Sequence, residues 1–286
     1  ELCTAYLEYN KGDCDKMTLQ PNSYQHKQPE VWDISHWEGF QNWDKVIPLP
    51  VAIICKATEH VTWVDDTLKY NYSHLGRLGV PRGAYHFFRF EYDALKQAVH
   101  FCDVMESMGT YGEIKPTLDV EWRDYKDKRT GKWIRSPKGS KLTDQFKIFL
   151  DYVEKRAQCT PMIYTSSGYV NEYMCNWLGK ITLPEYKRYP LWQAWYPYRP
   201  DEFTAPPPLK DWQWHLWQYA ENGVVGFPYD GVDMNVPSKL FGVEIPPIDP
   251  GDFPKFAKVT ELASPYLNVR KGAGIQYAKY EPIEVR

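Results

Sequence analysis

Eight short apolar runs of strand composition recur between residues 31 and 236: VWDIS, VAIICKATE, GAYHFFRF, IKPTLDVEW, PMIYTS, PLWQAWY, HLWQYA and GVDMNV. Three stretches between the second and the fifth run return their apolar residues at helical spacing. They cover about 65 to 78, with Val64, Leu68, Tyr72, Leu75 and Leu78 in phase, then Asp93 to Met108, then about 142 to 158. Gly79 and Gly109 supply the stops. Strand and helix in alternation require parallel strands joined by crossovers, whereas the last three runs are separated by Pro-rich loops with no helical pattern. The pattern therefore predicts an α/β chain: an irregular, flattened β/α barrel of about eight strands with few helices. At 286 residues, one such barrel and a small appendage account for the whole length.

In barrels of this kind chemistry collects at the C-terminal ends of the strands. Asp33, Glu59, Asp119, Glu121 and Asp233 stand at such ends. Within TLDVEW, Asp119 and Glu121 are two apart, so in an extended strand both emerge on one face. Unpaired carboxylates gathered in an aromatic pocket raise one another's pKa, which lets one hold its proton near neutral pH beside an ionised neighbour. That combination is what glycoside hydrolysis requires. Each acid taken alone is better explained by a base or a helix cap, but Lys56 and Arg89 are too few to neutralise the set.

Composition matters here because the chain holds 12 Trp, 22 Tyr and 12 Phe. Trp37, Tyr85, Phe87, Trp122, Tyr164, Trp192, Trp195, Trp217 and Tyr219 flank the same strand ends, where flat apolar faces with polar tips suit pyranose rings. Some of them, Phe87 and Trp217 among them, serve equally well as core. His36 and His86 read as hydrogen-bonding wall residues near the mouth, since neither has a second ligand at metal-binding spacing. There is no GxxxxGK[ST] loop, no GxGxxG after a strand, no HExxH and no GxSxG elbow. A formal charge of -3 gives no global attraction to nucleic acid or to an anionic membrane. No run of about 18 apolar residues is present to span a bilayer, and the first ten residues lack the plan of a signal peptide. Cys3 and Cys14 read as a local disulfide, Cys55 and Cys102 as free buried thiols, and Asn71-Tyr72-Ser73 is a glycosylation sequon.

These motifs, in this order, resemble glycoside hydrolase family 25, the Chalaropsis-type lysozymes or N-acetylmuramidases, over residues 31–242. The resemblance implies hydrolysis of the β-1,4 bond between N-acetylmuramic acid and N-acetylglucosamine in bacterial peptidoglycan. It implies no metal or cofactor. The expected protein is a monomer acting at the cell wall, with no nucleic acid bound and no membrane insertion. Carried over by motif, Glu121 looks like the general acid and Asp119 its partner, with Asp33 and Asp233 completing an acidic quartet. Either a direct carboxylate role or assistance by the substrate's own N-acetyl group is compatible with the family, and we prefer assistance, with Asp119 or Asp233 as the orienting group. Glu59, Tyr85, Phe87, Trp122, Tyr164, Trp192, Trp195, Gln218 and Tyr219 are the expected substrate-binding residues.

Residues 1–30 read as an N-terminal extension, 243–256 as a Pro-rich linker, and 257–286 as part of a small β module. Through VTELASPYLNVRKGAG that module is similar to the start of a bacterial SH3-like wall-binding domain, a combination that suggests an endolysin or secreted autolysin. The loop at 123–141 carries eight basic residues against two acidic ones and reads either as a contact for anionic wall groups or as a solvated loop. Two other readings stay open: a peptidoglycan-binding protein with weak catalysis, and a chitinase-like glycosidase. The latter's strand acids are spaced Asp-x-Asp-x-Glu, and Thr117 stands at the first of those positions.

Overall fold

Period-two alternation sorts the apolar runs onto two faces, and closing the strands into a ring turns one face into an interior and the other into a bed for helices. A computed structural model of the protein describes residues 30–43, 46, 49–196, 205–224, 230–238 and 241, together with two short paired strands at 266–267 and 283–284. The Cys3–Cys14 pair, residues 1–29 of the N-terminal extension, the linker and the rest of the C-terminal module lie outside the described residues.

The chain runs through β1 (Val31–Ile34), β2 (Ala52–Glu59), a two-residue β3 (Trp63–Val64), α1 (Leu68–Leu78), β4 (Arg82–Phe87) and α2 (Ala94–Ser107). It continues with β5 (Thr117–Asp119), the hairpin strands β6 (Tyr125–Lys126) and β7 (Trp133–Ile134), α3 (Ser140–Ala157), β8 (Met162–Ser166), β9 (Leu191–Ala194), β10 (Trp214–Val224) and β11 (Asp230–Pro237). β1, β2, β4, β5, β8, β9 and β10 are successively parallel; β11 runs antiparallel to both β10 and β1 and closes the ring. The eight runs are the eight strands of this barrel.

Val31, Ala52, Ile54, Met162, Tyr164, Trp192, Ala194 and Leu216 fill the interior with Ile114. Their neighbours in sequence, among them Ile53, Cys55, Ala84, Leu118 and Ile163, face outward onto Leu68, Tyr72 and Leu75 of α1, Phe101 and Met105 of α2, and Phe146, Phe149 and Leu150 of α3. Each of these large apolar side chains contributes about 1.5–3 kcal/mol by leaving water.

Local chemistry sets the ends. The Asp93 carboxylate accepts from Lys96 N and starts α2. α1 begins at Leu68 because Asp65 draws in the Thr67 backbone and hydroxyl ahead of it. Gly79, at φ +70°, ends α1 in the left-handed conformation.

Two sequence expectations change. His86 is fully buried behind the sheet, bonded to Thr58 and Gln97 and stacked on Phe149, so it is no wall residue of the mouth; burial pushes its pKa down to about 3. The sequon is closed, since Asn71 is fully buried and its side chain bonds Gln41 N, Trp43 Nε1 and Gly39 O. Cys55 and Cys102 are free and buried as expected.

Candidate active site

The mouth of the ring is built by inward-facing residues of several strands. Asp33 on β1 lies directly opposite Asp233 on β11 in the cross-strand register. Because β11 is antiparallel, Asp233 reaches the mouth from the early part of its strand, not from its C-terminal end. On the far side, Asp119 closes β5 between Phe87 and Tyr164 of the flanking strands. β5 is only three residues long, so Glu121 stands just beyond the strand, an exposed residue on the cavity lining that is still surrounded closely enough for desolvation to raise it.

Asp33, Asp119, Glu121 and Asp233, with Tyr85, Tyr164, Trp192 and Gln218, line one open cavity that takes in about 270 Å³ of space, part of it open to solvent. It opens through Trp37, Glu38, Lys56 and Phe87 into an outer groove bordered by His36, Trp63, Arg89 and Trp122. Among the described residues no group of three or more His, Cys, Asp or Glu side chains is disposed to hold a metal ion.

Amides hold the Asp33–Asp233 side. Asn235 Nδ2 donates to Asp33 Oδ2 (2.7 Å) and to Val31 O (3.0 Å), while its own oxygen accepts from Trp192 Nε1 (2.6 Å). Gln218 Nε2 donates to Asp33 (3.1 Å) and Asp233 (3.3 Å), and its Oε1 takes hydroxyl protons from Tyr164 (2.6 Å) and Tyr196 (2.7 Å). These contacts fix the orientation of the amide. Burial raises Asp33 to about 7, against the pull of the Asn235 and Gln218 donors. Burial, and then the charge of Asp33, raise Asp233 well above the carboxylate range. Two acids face to face cannot both ionise cheaply, so the pair retains a proton.

Asp119 and Glu121 form a second raised pair. For Asp119 the cause is burial and then the Glu121 charge; for Glu121 it is burial, opposed by Lys56 and Arg123. Asp119 Oδ1 is buried and has no hydrogen-bond partner among the described residues.

The aromatic expectations divide. Tyr85, Tyr164 and Trp192 line the floor, Phe87 the passage, and Trp122 and Trp37 the outer groove, with Trp37 82% exposed. Tyr219 is instead buried behind the sheet with Trp217 and Met234, bonded to Glu30, and Trp195 packs on that cluster. Neither Tyr219 nor Trp195 lines the cavities: each follows an inward residue, Gln218 or Ala194, so alternation turns it to the outer face.

Glu59 is not an unpaired acid. It is clasped by Lys56 (2.9 Å) and Arg89 (2.7 Å), which together outweigh its burial and lower its pKa. The two strand cations are thus committed to the groove rim, and the four carboxyls of the quartet stay raised. Three residues missed in the sequence also act here. Tyr196 holds Gln218, Glu38 lines the passage and accepts from Ser35, and Glu221 raises Glu121 and Asp233 from the rim. Glu38 stands three residues after the first run and was findable; Glu221 was not, because it lies in the irregular part of β10, where alternation does not give its side.

The sequence profile of the family described as Glycosyl hydrolases family 25 matches residues 32–226. The uncharacterized protein YegX of Escherichia coli is 30% identical over 212 residues, covering 71% of this chain and 67% of that protein. Lysozyme M1 of Streptomyces globisporus is 28% identical over 218 residues, covering 71% of this chain and 65% of its own length. The chain thus spans about two thirds of the curated relatives it matches. The crystal structure of the spore cortex lytic enzyme SleM of Clostridium perfringens superposes with a TM-score of 0.61 at 26% identity, over 78% of this chain and 69% of that one.

Proposed function

The chain belongs to glycosyl hydrolases family 25, and from that premise we propose that it is a lysozyme of the N-acetylmuramidase type, cleaving the β-1,4 bond between N-acetylmuramic acid and N-acetylglucosamine in bacterial peptidoglycan. The observation that carries this reading is the pair Asp119–Glu121, both raised, beside the pair Asp33–Asp233, in a cavity walled by Tyr85, Tyr164 and Trp192. A carboxyl that keeps its proton can donate it, and a neighbour that gives up its own can stabilise positive charge.

In this reading Glu121 protonates the glycosidic oxygen as the bond to the anomeric carbon breaks. The substrate's acetamide oxygen closes on that carbon, and Asp119, whose Oδ1 has no protein partner among the described residues, accepts the acetamide N–H. Water then opens the ring intermediate and returns a proton to Glu121. Asp33 and Asp233, clamped by Gln218 and Asn235, hold the far side of the same sugar. Aromatic rings at the floor offer stacking faces, and burial there strengthens every hydrogen bond made to the sugar.

The test is Glu121→Gln, which keeps shape and removes the proton donor. Release of new reducing ends from peptidoglycan falls by at least about 100-fold, the usual scale for loss of a general acid, while sedimentation with the polymer is retained. Turnover at wild-type rate in that variant contradicts the assignment.

A further inference from the structure

The segment that follows Glu121 is a two-sided hairpin. Tyr125 pairs with Ile134 on its inner side, and both are half-buried against the core beside Trp122. Lys126 lies opposite Trp133 on the outer side, where Trp133 is 57% exposed and the Arg135 guanidinium sits 4.7 Å from its ring centre. The turn between them is built by Asp127, whose carboxylate accepts from Thr130 N (2.6 Å) and Oγ1 (2.9 Å), with Gly131 at φ +69°.

The root of the hairpin is tied to the wall of the outer groove. Trp122 and Tyr125 rings are 5.3 Å apart, Arg89 lies 3.9 Å from the Trp122 ring, and Tyr125 donates to Glu91 (3.2 Å). Its charges are lopsided. Both acids are engaged: Asp127 in the turn, and Asp124 with Arg135 (2.7 Å) and Ser136 N (2.8 Å). Arg123 and Lys138 share Glu172. Lys126, Lys128, Arg129 and Lys132 are exposed and make no ion pair among the described residues.

From this we infer that the outer face of the hairpin is an anion-binding arm of the cleft, and that its ligand is the carboxylates of the peptides borne by the glycan strand lying in the groove. This rests on the proposed muramidase reading for the identity of the strand, and on charge complementarity for its peptide side. Groups attached to the bound strand are held beside the hairpin at high effective concentration, so even exposed cations gain from meeting them. An array of four unpaired cations also attracts a polyanion before contact, an effect that salt removes.

The experiment is sedimentation with insoluble peptidoglycan at low and raised salt, with its peptides intact or cut away from the glycan by an amidase. It compares the wild type with a variant carrying Lys126→Gln, Lys128→Gln, Arg129→Gln and Lys132→Gln, in which the turn-forming Asp127, Thr130 and Gly131 are kept. On peptide-bearing polymer at low salt the variant binds roughly 5- to 10-fold more weakly, the sum of several exposed ion pairs, and the difference vanishes at high salt. On peptide-free glycan the two proteins bind alike. Equal binding to peptide-bearing polymer overturns the inference, as does an equal defect on peptide-free glycan. A defect that disappears once phosphate-containing wall polymers are stripped overturns it too, by assigning the arm to those polymers. Reducing ends counted in the same tubes keep the two proposals apart: a binding difference without turnover by either protein refutes the muramidase reading and leaves the arm standing.

Discussion

Lys56 shows how one side chain connects two parts of the cleft. It is buried between the Phe87 ring (4.5 Å) and the Trp63 ring (5.1 Å), pairs with Glu59, and lowers the pKa of both Asp119 and Glu121 through space. Lys56→Met keeps the bulk and removes the charge, so both carboxyls rise further. The group that must be ionised then ionises at higher pH, and the group that must stay protonated holds its proton to higher pH. Both limbs of the kcat/KM profile therefore move toward alkaline pH, which a pH–rate series reads directly; a profile that stays in place shows that the charge is not felt at the catalytic pair. The quartet itself was legible in the sequence, because strand-end acids outnumber the cations near them. The pairing of Glu59 was not, because Lys56 and Glu59 are three apart and simple alternation puts them on opposite faces.

Elements explain that failure and the other misplacements. In β2 the register slips between Lys56 and Thr58, leaving Ala57 as an extra residue, so Lys56 and Glu59 both turn inward and meet. Tyr219 was put at the mouth by the motif alone, and plain alternation after the inward-facing Gln218 turns it outward. Bulges leave little signature in a single sequence, whereas caps and stops do, and α1, α2 and α3 end within a few residues of the expected places. Close chain crossings are equally silent. Gly112, at φ +90°, lets the connection from α2 to β5 turn in under β4, where Glu113 N (2.9 Å) and Ile114 N (3.0 Å) both bond Arg82 O. A Cβ there meets the Arg82 carbonyl and the Tyr72 hydroxyl. Gly112→Ala is expected to cost about 2–4 kcal/mol through left-handed strain and overpacking, read as a lowered midpoint in denaturant at unchanged slope. A midpoint within error of wild type contradicts this account of the crossing.

At the scale of the molecule, seven parallel strands and one antiparallel strand make a ring whose mouth collects acids from both strand directions. Alternation of strand and helix made the parallel part legible. The reversal of β11 was not, since short helix-free connections are compatible with either direction. That reversal brings Asp233 face to face with Asp33 and gives the cleft two carboxyl pairs instead of a scatter of strand ends. Two raised pairs on opposite sides of one aromatic cavity support glycosidic cleavage, and membership of family 25 directs it to the central claim, cleavage on the reducing side of N-acetylmuramic acid. Mass spectrometry of fragments released from purified peptidoglycan tests it most directly. The account predicts products with N-acetylmuramic acid at the new reducing end, and products ending in reducing N-acetylglucosamine contradict it.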